Sequence, residues 1–252
     1  LKTLVYYFYH MKYNIIANIF GSIFFILLPA LLLPLYLKVL DPDRYGMFSL
    51  YFVILIYFKI IDFGCSSTFN RYIAQNLDNE FIRDLLKNFE ILFIILSFII
   101  LSFTFIFYEY ISVNWIIAEN IKSKTISQSI LVIIIIASIK FFSSIYRAGL
   151  NGLEKQVWVN ITRSIFEFIS MFGGLIFIYI INSIKKFTYD FNISYLFIFF
   201  LFISFIELFF FRIKLLNFLP AKSKIGIFDF DPLKKIFSFM IMSAATTSTW
   251  IL

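Results

Sequence analysis

The sequence specifies an all-α integral membrane protein of about six transmembrane spans, and three observations carry that reading. Hydrophobic residues make up 61% of the 252, aromatic residues 22%, and the mean hydropathy is +0.91. No soluble domain is this apolar. The apolar residues fall into runs of about twenty, the length that crosses a ~30 Å hydrocarbon core as a helix. Most of the 22 lysines and arginines gather on one side, at the N-terminus and in alternate connections between those runs, as charge-directed insertion requires. Because the net charge of +7 is scattered along the chain rather than drawn into a patch or stripe, it does not point to a nucleic-acid partner. One cysteine, Cys65, and one histidine, His10, exclude an intramolecular disulfide, a His/Cys metal site and a His-dependent triad within this chain. Metal-thiolate and Ser-His chemistry are thereby excluded, and the expectation is a protein without a cofactor or covalent chemistry of its own, surrounded by membrane lipids.

Taken in order, residues 1–13 carry Lys2 and Lys12 among tyrosines and suit an interfacial helix lying on the membrane. The first span, 14–36, is too long for a signal-peptide core and has no small-residue cleavage site. Within it Asn14, Asn18, Gly21, Ser22 and Phe25 share one helical face, either a packing surface or a cavity wall, while Pro29 and Pro34 predict a kink or broken end. The second span, 45–71, is the segment around which the others are expected to pack, because Lys59 and Asp62 lie in its middle. A polar stretch, 70–90, precedes the third span, 91–108. The fourth, fifth and sixth spans are 128–150, 157–181 and 193–216. A basic stretch broken by Pro220, Gly226 and Pro232 then leads to a seventh apolar run beginning near Leu233.

Orientation follows from the basic residues. Fourteen of them fall on the side of the N-terminus and of the 212–235 linker, and six fall in the opposite loops. The expected topology is multi-pass with a cytoplasmic N-terminus. Only Lys59 and Lys140 remain, both inside apolar runs.

Charges at bilayer depth are costly and usually face a bundle interior, a partner or a water-filled cavity. Lys59 and Asp62, three residues apart, can pair with each other. In the fourth span Lys140, Ser143, Ser144, Arg147 and Asn151 form a cationic polar ladder on one face. In the fifth, Arg163, Glu167, Ser170 and Gly174 form a similar face. Lys59, Asp62, Lys140, Ser144, Arg147 and Glu167 are thus the expected lining of a substrate cavity, with Lys140 as its deepest cation. The structural alternative is that the same charges form ion pairs holding the bundle together. Arg147, Arg163 and Arg212 lie near span ends, where snorkelling accounts for them without a ligand. Glu207 is read either as a proton-coupling carboxylate or as a group reaching the interface beside Arg212. Asp41-Pro42-Asp43 contains an Asp-x-Asp, but Asp41 before Pro42 is the signature of a helix N-cap.

The run Tyr36-Leu-Lys-Val-Leu-Asp-Pro-Asp-Arg-Tyr-Gly46, then Asp62-Phe-Gly64 and Arg71, then Tyr146-Arg-Ala-Gly-Leu-Asn-Gly-Leu-Glu-Lys155 resembles the Wzx-type polysaccharide flippases. These belong to the multidrug/oligosaccharidyl-lipid/polysaccharide exporter (MATE-like) superfamily. The chain departs from them at Leu40-Asp41, where members commonly have Leu-Gly. The resemblance implies a twelve-or-more-helix transporter of two six-helix lobes that rock about a central cavity. Residues 1–218 would be the N-terminal transmembrane lobe, and 219–252 the cytoplasmic inter-lobe linker with the truncated start of the seventh helix. The implied activity is flipping of undecaprenyl-pyrophosphate-linked oligosaccharide repeat units to the outer leaflet of the bacterial plasma (inner) membrane, for O-antigen or other surface polysaccharide biosynthesis. Its implied partners are the lipid-linked oligosaccharide, a coupling proton or sodium ion and a missing C-terminal lobe, without which the fragment is expected to be inactive. Two alternatives stand beside it: a cation-coupled multidrug exporter of the same fold, with Asp62 or Glu167 as coupling carboxylate, and a membrane-embedded glycosyltransferase or polymerase acting through Asp41 and Asp43.

Overall fold

A computed structural model describes residues 2–75, 79–116, 118–184 and 192–219. The described residues form seven helices: α1 (Lys2–Val39), α2 (Pro42–Ile61), α3 (Cys65–Ala74), α4 (Asn79–Asn114), α5 (Ser123–Gly152), α6 (Gln156–Ile184) and α7 (Ser194–Phe218). All except α3 are long and apolar enough to cross a membrane, which makes the protein multi-pass with six such helices among the described residues. The expected inter-lobe linker and seventh span lie outside the described residues, apart from Leu219.

Three element boundaries differ from the expectation. The separate interfacial helix at 1–13 is instead the beginning of α1, which runs unbroken from Lys2 through Pro29 and Pro34 to Val39. The expected second span, 45–71, is two helices. Phe63 and Gly64 both take positive φ, 47° and 75°, so the chain turns after Asp62 and restarts as α3. A left-handed residue cannot continue a right-handed helix, and glycine bears it without the steric cost of a side chain. The helix of the third span, expected at 91–108, begins earlier, because α4 starts at Asn79 inside the polar stretch. Its first turns bury Ile82, Leu85, Leu86 and Phe89 at helical spacing. Mean hydropathy misses such an amphipathic stripe because its other faces are charged.

The helix α5 occupies the centre. It packs against α2, α3, α4, α6 and α7, and 61% of its most apolar window is buried, against 17 to 33% in the other five spans. The apolar surfaces of those five are left largely open, the surface a bilayer would cover. Side-chain contacts fix the helix directions. Ser129 Oγ near the start of α5 lies 2.9 Å from Ser194 Oγ at the start of α7, and Gly149 near the end of α5 lies against Leu215 near the end of α7, so the two run parallel. Likewise Asn18 in the middle of α1 meets Gln156 and Asn160 at the start of α6, and Tyr36 near the end of α1 donates to the Met171 carbonyl in the middle of α6 at 2.7 Å, so these two also run parallel.

Small residues set how closely the neighbours approach. A Cβ on Gly152 would come within 2.6 Å of the Asn70 carbonyl oxygen, and one on Gly149 within 2.8 Å of both Phe69 and Leu215. The Arg147-Ala-Gly-Leu-Asn-Gly152 run thus lets α3 and α7 close on the end of α5, the small-residue contact common between membrane helices. At the opposite end of the bundle, Asp41 caps α2 by accepting from the Arg44 N–H at 2.8 Å, with Pro42 in the first turn. Asp43 accepts from the Asn120 N–H at 2.8 Å. Both acids of the Asp-x-Asp are thereby engaged by backbone.

Candidate functional site

Lys140 and Arg147 are seven residues apart on α5, two turns along one face, and both reach the same carboxylate on α7. Lys140 Nζ lies 3.4 Å from Glu207 Oε2, and Arg147 Nη1 donates to Glu207 Oε1 at 3.1 Å. Lys140 Nζ also lies 3.6 Å from Glu167 Oε2 on α6. One carboxylate therefore serves two cations, and one cation serves two carboxylates. Exposure separates them: the Glu207 side chain is 4% accessible, whereas those of Lys140, Arg147 and Glu167 are 19, 19 and 22% accessible. Glu207 is the buried hub, and the other three line accessible space.

The cluster sits deep. Lys140 is about twelve residues, roughly 18 Å, from Gly152 at the end of α5. Glu207 is about eleven residues from the end of α7, and Glu167 about eleven from the start of α6. Since α5 and α7 run opposite to α6, these positions lie at one level. A carboxylate at this depth is stable only with charged partners, and removing one partner of such a group is strongly destabilising.

Two further cations join the seam. The Arg163 guanidinium on α6 lies 3.7 Å above the Phe25 ring of α1, a stacking contact that suits a planar, weakly hydrated cation. From there it stands in the fields of Arg147, Glu167 and Glu207. Lys59 on α2 is exposed and stands in the fields of Arg163, Arg147, Glu167 and Lys140. Among the described residues no carboxylate lies within 4.0 Å of Lys59.

The expected pairing of Lys59 with Asp62 is absent, because the turn at Phe63 and Gly64 gives Asp62 another task. Asp62 Oδ2 accepts from the Ser66 N–H at 3.1 Å and Oδ1 from the Ser66 hydroxyl at 2.8 Å, so it closes the first turn of α3. The chain of hydrogen bonds continues from Ser66 Oγ to Ser144 Oγ at 3.0 Å on α5. Ser144 in turn donates to the Phe141 carbonyl at 2.6 Å. The polar ladder of α5 is therefore shared, Ser144 meeting α3 while Lys140 and Arg147 meet α6 and α7.

Of the six residues expected to line one cavity, Lys140, Arg147 and Glu167 come together around Glu207. Lys59 approaches them from α2, while Asp62 closes the α2–α3 turn and Ser144, on α5, meets that turn through Ser66. Glu207, which the sequence left between two roles, and Arg163, which end-of-span snorkelling explained, are members of the cluster. The signal for Glu207 was available, since two cations seven apart on one helix need a carboxylate on a neighbour. Even with Asp62 of the adjoining turn counted beside Glu167 and Glu207, three carboxylates stand against the four cations Lys59, Lys140, Arg147 and Arg163, so the ionised seam is net positive.

Set against protein-family models, curated proteins and solved structures, the chain finds no match. Its fold and charged seam define the class: a multi-pass membrane protein, helical throughout its spans among the described residues, with ionisable residues inside the bundle.

Proposed function

We propose that this chain is one wall of a transporter that flips a lipid-linked oligosaccharide, carried on a polyprenyl pyrophosphate, from the cytoplasmic to the outer leaflet of a bacterial plasma membrane. The observation that carries the reading is the net positive seam at bilayer depth, in which Lys59 is accessible and has no carboxylate partner among the described residues. A pyrophosphate carries two or more negative charges. Cationic donors lining a path would replace part of its hydration as it crosses. The hydroxyls and amides beside the seam, Ser66 and Ser144 on one side and Asn18, Gln156 and Asn160 on the other, are hydrogen-bonding groups suited to sugars. The sequence resemblance to polysaccharide flippases points the same way.

In this reading the charges divide the work. Lys140, Arg147 and Glu207 hold α5 to α7, and Glu167 ties α6 to them more loosely. Lys59 and Arg163 meet the head group. The N-terminus is cytoplasmic, consistent with the fourteen basic residues on its side. A second helical lobe supplies the opposite wall, and a proton or sodium ion supplies the driving force.

Proteoliposomes containing the protein and a fluorescent short-chain polyprenyl pyrophosphate disaccharide test the proposal. A membrane-impermeant quencher should reach inner-leaflet probe only when the protein is present. Movement of lipophilic cations without movement of the lipid-linked sugar would replace it by the drug-exporter reading.

A further inference from the structure

A second group of cations lies at the membrane end formed by the α5–α6 turn and the last turns of α7, apart from the seam. Lys155, in the turn, holds its ammonium 5.2 Å from the centre of the Phe218 ring. Lys214, on α7, holds its own 5.4 Å from the same ring and 5.2 Å from Trp158. Two ammoniums over one ring are within about 11 Å of each other. Among the described residues neither has a carboxylate within 4.0 Å. A phosphate placed between the two ammoniums is attracted by both.

The aromatic platform beneath them is built, not incidental. Trp158 stacks on Phe210 with centroids 6.0 Å apart and planes 5° from parallel, and meets Phe211 edge-on at 5.6 Å. Phe211 is fully buried, so it anchors the platform in the bundle. Phe218, Phe210 and Ile213 stand exposed beside it, continuing along α7 toward the membrane interior. Tryptophan with lysine at a helix end is the arrangement that places side chains at head-group level, with exposed apolar surface reaching to acyl-chain level.

We infer that Lys155 and Lys214, held over the Trp158 and Phe218 rings, bind the phosphate of an anionic membrane phospholipid whose acyl chains lie along the exposed face of α7. The apolar face adjoining the cations selects a phospholipid over a free phosphate ion, because only the phospholipid covers both. The site is on the outside of the bundle and is independent of the flipping proposal.

The test is native mass spectrometry of the purified protein with phosphatidylglycerol and phosphatidylethanolamine in equal amounts. Each basic residue near an anionic surface contributes about fivefold in affinity, so replacing both lysines by glutamine should weaken phosphatidylglycerol binding about twenty-five-fold. The Lys155→Arg/Lys214→Arg pair should retain binding, and Lys38→Gln at the opposite membrane end should leave it unchanged. Equal retention of the two lipids by the wild type, undiminished phosphatidylglycerol binding by the glutamine pair, or displacement of the lipid by millimolar inorganic phosphate would each overturn the inference. A readout in the unaltered site covers failure of the glutamine pair to fold. With Trp115→Phe and Trp250→Phe isolating Trp158, dibrominated phosphatidylglycerol should quench its fluorescence more than dibrominated phosphatidylethanolamine. Equal quenching would overturn the inference as well.

Discussion

Arg147 and Lys140 converge on Glu207, a carboxylate 3% exposed on a helix parallel to their own, at 3.1 and 3.4 Å. Glu207 is thus the group whose removal leaves the most charge unbalanced. Replacing it by Ala should destabilise the protein by about 3–5 kcal/mol, the cost of stranding a buried partner. Thermal unfolding in detergent measures this. The Arg147→Ala/Glu207→Ala pair should recover part of the loss, since Lys140 keeps Glu167.

Glu167 should behave differently, because its one ion pair among the described residues is 3.6 Å long and its side chain is 22% accessible. Glu167→Gln should cost less than about 1 kcal/mol, as partly solvated pairs do. A loss as large as that for Glu207→Ala would mean that α6 depends on this contact.

The α2–α3 turn supplies a third prediction. Asp62 closes the first turn of α3 through Ser66, so Asp62→Ala should remove about 1 kcal/mol of local stability and Asp62→Asn less. Hydrogen exchange across Cys65–Ala74 should accelerate in the alanine variant. Unchanged exchange would remove the capping role.

Two glycines should respond in opposite senses. Gly152→Ala would drive a methyl to 2.6 Å from the Asn70 carbonyl oxygen and should cost about 1–3 kcal/mol. Gly46→Ala meets nothing within 4 Å in a helical segment and should be neutral or stabilising by up to about 1 kcal/mol. Melting temperatures of the two variants check both.

The spans were legible in the sequence because bilayer thickness imposes a length on apolar runs, and six runs emerge as six long helices. The break inside 45–71 was missed although Asp62, Gly64, Ser66, Ser67 and Thr68 interrupt the apolar run after Ile61, because a charge inside a span reads as a buried group and not as a turn; the positive φ of Phe63 and Gly64 divides the segment. The early start of α4 was hidden for a different reason, its charged faces outweighing the buried stripe of Ile82, Leu85 and Phe89. At the site, helical spacing put Lys140 and Arg147 on one face but could not say which neighbour met them. That depends on α5 and α7 being parallel, a tertiary fact. Lys140 consequently read as a cavity-facing cation, whereas it lies between two carboxylates, and Lys59 is the cation with none within 4.0 Å among the described residues.

The most direct measurement is the affinity of the purified protein for a short-chain polyprenyl pyrophosphate disaccharide, compared between wild type, Lys59→Ala and Glu167→Gln. A charge-assisted hydrogen bond is worth about 1.5–3 kcal/mol, so Lys59→Ala should weaken binding by about tenfold or more. Its melting temperature should not change, because Lys59 has no carboxylate within 4.0 Å among the described residues. Glu167→Gln, which removes a negative charge from the seam, should tighten binding. Unchanged affinity in Lys59→Ala, or wild-type protein that binds a lipophilic cation and not the pyrophosphate, would contradict the account.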